Sequence, residues 1–444
     1  MALPCGWRCW NGSSVTELLI RNGRVIDPAS GLDQIADVAL AGGRVAAIGP
    51  GLDPEGGAVL DAAGCIVAPG FIDMHVHLRE PGFEHAETIE TGARAAAAGG
   101  FTTVCCMPNT KPVNDSATVT SYIVARAQAT AVVNVYPIGA ITKGSAGEEL
   151  PAYGSMKNAG IVALSDDGMP VMNARVMRRA MERAHALGLP VINHCEDLHL
   201  SAGGDMHEGA MSARLGLRGI PAVAEDVMVA RDILLAELTG ARYHVAHLST
   251  QYAAAMVRQA KRMGLPVTCE VTPHHFVLND GCLAGYDSNY KMKPPLRGAP
   301  HVDAMVEAIA DGTVDAIATD HAPHPGSEKM QEFERCPFGI LGLETAVGLA
   351  LETLVHSGRI GLARMIELFT TGPAGILHLD RGYLRVGGPA DVTVFDTARE
   401  WRYDVTRSAS KSSNSPFHGW TFRGGPVATV VGGRIVWQRE PAGG

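Results

Sequence analysis

The central part of this chain alternates short apolar runs with helix-like stretches, and that rhythm constrains the fold more than any other feature. Runs over 70–77, 101–107, 132–139, 161–166, 190–195, 243–248, 266–271 and 314–319 read as strands. Between them lie Ala-rich or amphipathic segments such as 87–98, 174–187, 223–238 and 253–263. Eight apolar strands alternating with helices predict an α/β chain, folded as a (β/α)8 barrel in preference to an open doubly wound sheet. No glycine-rich phosphate fingerprint follows the first strand, which further lowers the doubly wound alternative.

The flanks have a different texture. Residues 18–68 are Gly-rich with short apolar runs, punctuated by Asn22-Gly23 and Gly42-Gly43, which read as tight hairpin turns. The C-terminal end repeats the pattern, with Gly432-Gly433 between 427–431 and 434–437. Neither end has enough strands to stand alone, so the two are expected to pair into one small β-sandwich. The resulting division is 1–17 as a loose extension, 18–68 and 381–444 as the two parts of the sandwich, and 69–380 as the barrel.

In such a barrel, chemistry gathers at the C-terminal ends of the strands. The first strand ends in His75, His77 and Arg79; because side chains alternate, the two histidines point to the same side. Later strands end in Asn109, in Asp166-Asp167-Gly168, in His194, in His247 and in Asp320. Each residue has a plain alternative: a hydrogen-bonded structural histidine, a turn, or a helix N-cap. Unrelated capping residues, however, need not all fall on the same end of successive strands. Mixed histidine and carboxylate donors suit zinc or a similar divalent ion, which lowers the pKa of bound water toward neutrality. His274 and His275 fall outside this set and read as structural or supporting residues.

Segments 73–82, 107–110, 164–168, 193–197, 247–250, 291–297, 318–324 and 336–345 together resemble the amidohydrolase superfamily, and within it the type I dihydroorotases most closely. The likeness runs from about 18 to 437. It implies two zinc ions per chain: His75 and His77 hold one with Asp320, His194 and His247 hold the other, and Asp167 bridges them. Asp167 is chosen over Asp166 on its spacing to His194. Many superfamily members bridge with a carboxylated lysine instead, but Lys157 lies before its strand, at the wrong end. The resemblance also implies reversible closure of N-carbamoyl-L-aspartate to L-dihydroorotate in pyrimidine (UMP) biosynthesis, with Asp320 as the catalytic proton shuttle. Substrate would be held by His77, Leu78, Arg79, Asn109, Lys293, His324, Phe338 and Gly339. Lys293 departs from the family, which usually has asparagine there; a surface lysine facing away is its alternative.

A net charge of −9 argues against broad nucleic-acid binding, and no apolar run approaches the roughly 18 residues of a spanning helix. The nine cysteines form no repeated C-x-x-C frame, and with no secretory signal the expected setting is cytoplasmic. A homodimer and a complex with aspartate transcarbamoylase are the partners this family suggests. Rival expectations are an allantoinase or hydantoinase, which prefer a lysine bridge, and a catalytically dead scaffold, which should have lost ligands.

Overall fold

The computed structural model describes residues 16–440. Cys5, Cys9 and nearly all of the expected 1–17 extension lie outside them, although Glu17 already bonds to the sheet, its N–H donating to Leu40 O at 2.9 Å.

Strands from the two chain ends pair directly. Ile66–Pro69 runs parallel to Leu18–Asp27 on one side and antiparallel to Val392–Arg402 on the other, with Pro69 opposite Val392. Through this strand the hydrogen bonding continues into one eight-stranded mixed sheet, and residues of its two halves, among them Val38, Leu40, Val392 and Val430, share one buried core. Gly42-Gly43 and Gly432-Gly433 do turn hairpins, and both residues of each pair have positive φ, as such turns require. Asn22-Gly23 does not. It lies inside strand Leu18–Asp27 at a register shift, where Asn22 takes φ 59 and its N–H donates to Asp37 Oδ1, so the pair forms a bulge and the turn comes later, after Asp27.

The middle of the chain carries parallel strands at most of the expected places: Phe71–Val76, Phe101–Cys106, Asn134–Pro137, Val191–Asn193, Tyr243–Val245, Val267–Val271 and Ala316–Ile317. The run at 161–166 forms no regular strand; Leu164 alone bridges Gly139 on one side and Val191 on the other. Val76 in turn bridges His321. The intervening helices include Ile89–Ala98, Ala174–Leu187, Val223–Thr239 and Gln251–Arg262. Gln251–Arg262 starts where it does because Thr250 caps it, accepting from Ala253 N at 3.2 Å, immediately after the strand end that carries His247.

Phe71, Phe101, Phe369 and Phe395 pack where the parallel strands meet the sheet, with Phe71 stacked on Phe369 at 5.2 Å and 5.7 Å from Phe395. All four are fully buried, each contributing about 1.5–3 kcal/mol of burial energy. This contact fixes the base of the strand that delivers His75 and His77. Among the described residues no helix is long and apolar enough to cross a membrane.

Candidate active site

The C-terminal ends of the parallel strands bring the expected donors together. His75, His77 and Asp320 form one group of converging donor atoms, and His75, Asp167 and His247 form a second. Asp167 is the common neighbour: its carboxylate lies 3.4 Å from His75 Nε2, 3.4 Å from His77 Nε2, 3.6 Å from His247 Nε2 and 3.9 Å from His194 Nδ1. Asp166 points elsewhere. Its carboxylate accepts from Ile141 N and from both the N–H and hydroxyl of Thr142, and so ties down a loop.

Buried His75 Nε2 and Asp167 Oδ1 have no hydrogen-bond partner. Leaving such atoms unpaired is costly, and a divalent cation between them satisfies both. The electrostatics agree. Burial works against a charged His75 ring, yet the carboxylates of Asp320, Asp167 and Glu270 outweigh it and raise its pKa well above the usual value. A field that holds a proton this firmly favours a metal cation in its place. Asp167 and Asp320 are pushed up by burial and held below the usual carboxylate range chiefly by His75. The residues therefore fit a metal.

Two ring orientations are set by partners that can only accept. His75 Nδ1 donates to Glu270 Oε1 at 2.6 Å, freeing Nε2 for the site. His194 Nε2 donates to Glu196 Oε2 at 3.0 Å, leaving Nδ1 facing His247 Nε2 at 2.8 Å. Asn109 does the same service for His77: its Oδ1 accepts from Nδ1 at 2.9 Å, while its Nδ2 donates to Asp167 Oδ2 at 3.4 Å. Sequence reading had given Asn109 only a substrate contact and had assigned neither Glu270 nor Glu196. Glu270 was detectable as the lone charge in the apolar strand Val267–Val271. Asp73 was also overlooked; it accepts from His75 N and Thr319 N, lashing two site strands together, and burial pushes its pKa up to about 7.

Above these donors lies a cavity of about 180 Å³ lined by Arg79, Lys293, His324 and Phe338 among others. It is smaller than the roughly 300–1,000 Å³ of drug-sized sites, so it suits a compact ring. Arg79 is anchored by Nε to Pro323 O at 3.1 Å, and its Nη2 donates to His324 Nε2 at 3.2 Å. His324 passes its own Nδ1 proton toward Glu328 at 3.2 Å, and burial, then the Arg79 charge, hold it neutral with a pKa of about 2. Lys293 faces inward: its Nζ lies 2.8 Å from Glu196 Oε1 and 5.3 Å from the centre of the Phe338 ring. Burial pushes Glu196 up, but the His194 hydrogen bond and charge, and then the Lys293 charge, outweigh it and hold its pKa at about 2.

Phe338 is held over the cavity by its neighbours. Lys329 Nζ donates to Pro337 O at 2.9 Å and Gly339 O at 3.1 Å. A Cβ at Gly339 would stand 2.6 Å from Ala322 O, so only glycine lets the segment lie this close. Leu78 is not part of the cavity lining: its side chain is 2% exposed and packs in the core, where a Cβ on Gly92 would meet it at 2.5 Å. Arg79, His247 and Asp320 all have positive φ, a concentration of backbone strain at one site.

A Dihydro-orotase-like family model matches residues 64–253. The dihydroorotase of Solibacter usitatus is 70% identical over 423 residues, spanning 95% of this chain and 98% of its own. The dihydroorotase of Citrifermentans bemidjiense is 54% identical over 422 residues, with 95% and 99% covered. Among solved structures, the L-hydantoinase of Arthrobacter aurescens superposes with TM-score 0.87 at 26% identity, over 95% of this chain and 96% of that one. A D-hydantoinase from Thermus sp. gives 0.81 at 28%, with 95% of each chain covered. The donor set, the cavity and these relatives agree: the chain belongs to the dihydroorotase family of metal-dependent cyclic amide hydrolases.

Proposed function

We propose that this chain is a type I dihydroorotase that interconverts N-carbamoyl-L-aspartate and L-dihydroorotate in de novo pyrimidine biosynthesis, with two zinc ions per chain. The observation that carries the reading is the Asp167 carboxylate, within 3.4–3.9 Å of four histidines at the position where many relatives place a lysine. His75 and His77 with Asp320 would hold one zinc, and His194 and His247 the other, Asp167 serving both. Zinc there supplies Lewis acidity toward the ring carbonyl and a lowered pKa for water.

The remaining work belongs to the chain. Arg79 presents its planar guanidinium to the ring carboxylate, and neutral His324, which lines the cavity beside it, accepts from Arg79 Nη2 and keeps the fork oriented. Asp320 takes the proton of the attacking water and returns it to the ring nitrogen as the amide C–N bond breaks. In the closing direction it takes the carbamoyl nitrogen's proton as the C–N bond forms and passes it to the departing carboxyl oxygen, which leaves as water. Asn109 keeps the His77 ring aligned, Phe338 covers the substrate from above, and Gly339 permits its approach. Leu78 has no side-chain part in this reading, because it is committed to the core.

The cycle of parallel pairing from Phe71–Val76 to Ala316–Ile317, with Val76 bridging His321, supports a (β/α)8 barrel over 69–380. A smaller β domain of 18–68 and 381–444 flanks it. A cytoplasmic homodimer, able to join aspartate transcarbamoylase, rests on family resemblance alone; size-exclusion chromatography with and without that enzyme tests it. A hydantoinase reading shares the fold, but the aspartate at the bridge and the arginine over the cavity favour dihydroorotate.

The deciding experiment measures ring opening of L-dihydroorotate and of hydantoin on one purified sample while quantifying bound metal. Turnover of dihydroorotate with close to two zincs per chain is the expected result. Turnover of hydantoin alone, or failure to bind zinc after supplementation, overturns the reading.

A further inference from the structure

Lys293 and Glu196 form a buried-to-surface pair that the reaction scheme above does not use. Glu196 is 5% exposed, follows His194 by two residues, and accepts from His194 Nε2 through Oε2 at 3.0 Å. Its other oxygen meets Lys293 Nζ at 2.8 Å, and the lysine side chain keeps 27% of its surface. No other ion pair reaches Glu196 among the described residues. The carboxylate is thus strung between an imidazole on one side and an ammonium on the other.

Such an arrangement has a definite consequence. A carboxylate on one ring nitrogen decides that the other nitrogen carries the free lone pair. Here that nitrogen is Nδ1, which faces His247 Nε2 at 2.8 Å and Asp167 Oδ1 at 3.9 Å. A carboxylate buried this deeply needs a partner for its charge, or it drifts, takes up a proton, or turns toward solvent. Lys293 is that partner, with its ammonium 2.8 Å from the carboxylate.

We infer that Lys293 is a positioning residue for the metal centre: through Glu196 it fixes the His194 ring with Nδ1 presented to the second metal position. The role rests on the proposed reading that His194 is a metal ligand. It differs from a substrate-binding role for Lys293 in what it predicts. A positioning lysine changes zinc affinity in the absence of substrate, whereas a substrate lysine changes only the Michaelis constant.

The test titrates zinc into chelator-treated full-length protein by calorimetry, without substrate, for wild type, H194N, K293M, K293R and E196Q. Wild type is expected to bind two zincs and H194N to lose the weaker one. K293M and E196Q should each weaken one of the two sites by about tenfold or more, the range seen when an outer partner of a ligating histidine is removed. K293R, which keeps the charge, should recover most of the loss. Lys293 is partly exposed, so K293M is expected to fold, and the melting temperature of the metal-free protein checks this. Were K293M misfolded, E196Q with its near-identical shape carries the same prediction. Wild-type zinc affinities at both sites in K293M and E196Q, with a raised KM in K293M, overturn the inference in favour of substrate binding. An H194N protein that still binds two zincs would instead overturn the ligand assignment on which it stands.

Discussion

The imidazole of His75 donates through Nδ1 to Glu270 Oε1 at 2.6 Å, although the two residues lie on strands nearly two hundred positions apart in sequence. Glu270 also accepts from the His247 backbone at 3.3 Å and faces His244 Nε2 at 3.3 Å. One buried carboxylate thereby braces two histidines of the candidate metal centre. Replacing it with alanine should weaken zinc binding by roughly ten- to a hundredfold. Metal titration of E270A checks this, and unchanged affinity would remove Glu270 from the account of the site.

Asp320 carries both a ligand role and the proton transfer in the proposed scheme. D320N should lose about two to four orders of magnitude in turnover. Near-normal turnover with both metals bound would assign the proton transfer elsewhere.

Arg79 is pinned between Pro323 O and His324, so its fork is held ready and little order is lost when an anion binds. R79M should lower kcat/KM roughly ten- to a hundredfold, mainly through KM, as expected for a hydrogen bond to a charged group. Lysine at this position should not restore it, since a point charge cannot reproduce two parallel contacts. Steady-state kinetics of R79M and R79K decide the matter.

Leu78 sits between two site residues in sequence but serves the core. L78A should cost about 2–5 kcal/mol in unfolding free energy and leave KM near the wild-type value. A large change in KM with stability intact would return Leu78 to the substrate site.

His275 is 2% exposed and hydrogen-bonds Thr272 and Pro294 O. Burial, then the nearby His247 charge, depress its pKa to about 4, against a hydrogen bond to Pro294 that works the other way. Below about pH 6.5 the unfolded chain binds a proton that the folded ring refuses. Stability from this group is therefore full above that pH and drains away as pH falls toward 4, by up to about 3 kcal/mol. Denaturant unfolding of chelated wild type and H275Q at pH 7 and pH 4.5 measures it. The stability gap between them should narrow in acid, and a pH-independent gap contradicts the assignment.

The candidate ligands were legible because each falls at or just past the end of an apolar run, and a strand end is a position that sequence can mark. Glu270 and Asp73 were not, since both lie inside strands and their partners, His75 and Thr319, belong to other parts of the chain or to the backbone. Asp166 and Asp167 are adjacent, and only the loop at Ile141 and Thr142 decides which one turns inward. Asn22-Gly23 carried a turn signal, but left-handed asparagine serves a bulge equally well, and pairing with Ile35 and Ala36 continues the strand. The run at 161–166 has strand-like residues, yet only Leu164 bridges its neighbours, and just beyond it Asp166 and Asp167 turn to the loop and the site.

Strand Ile66–Pro69 leads almost directly into the strand of His75 and His77, and one of its two edges is completed by residues more than three hundred positions later. During synthesis at roughly 5–20 residues per second, that edge stays open for on the order of tens of seconds after the histidines have emerged. Every donor of the candidate metal centre, from His75 to Asp320, is therefore synthesised before the strand that closes this edge.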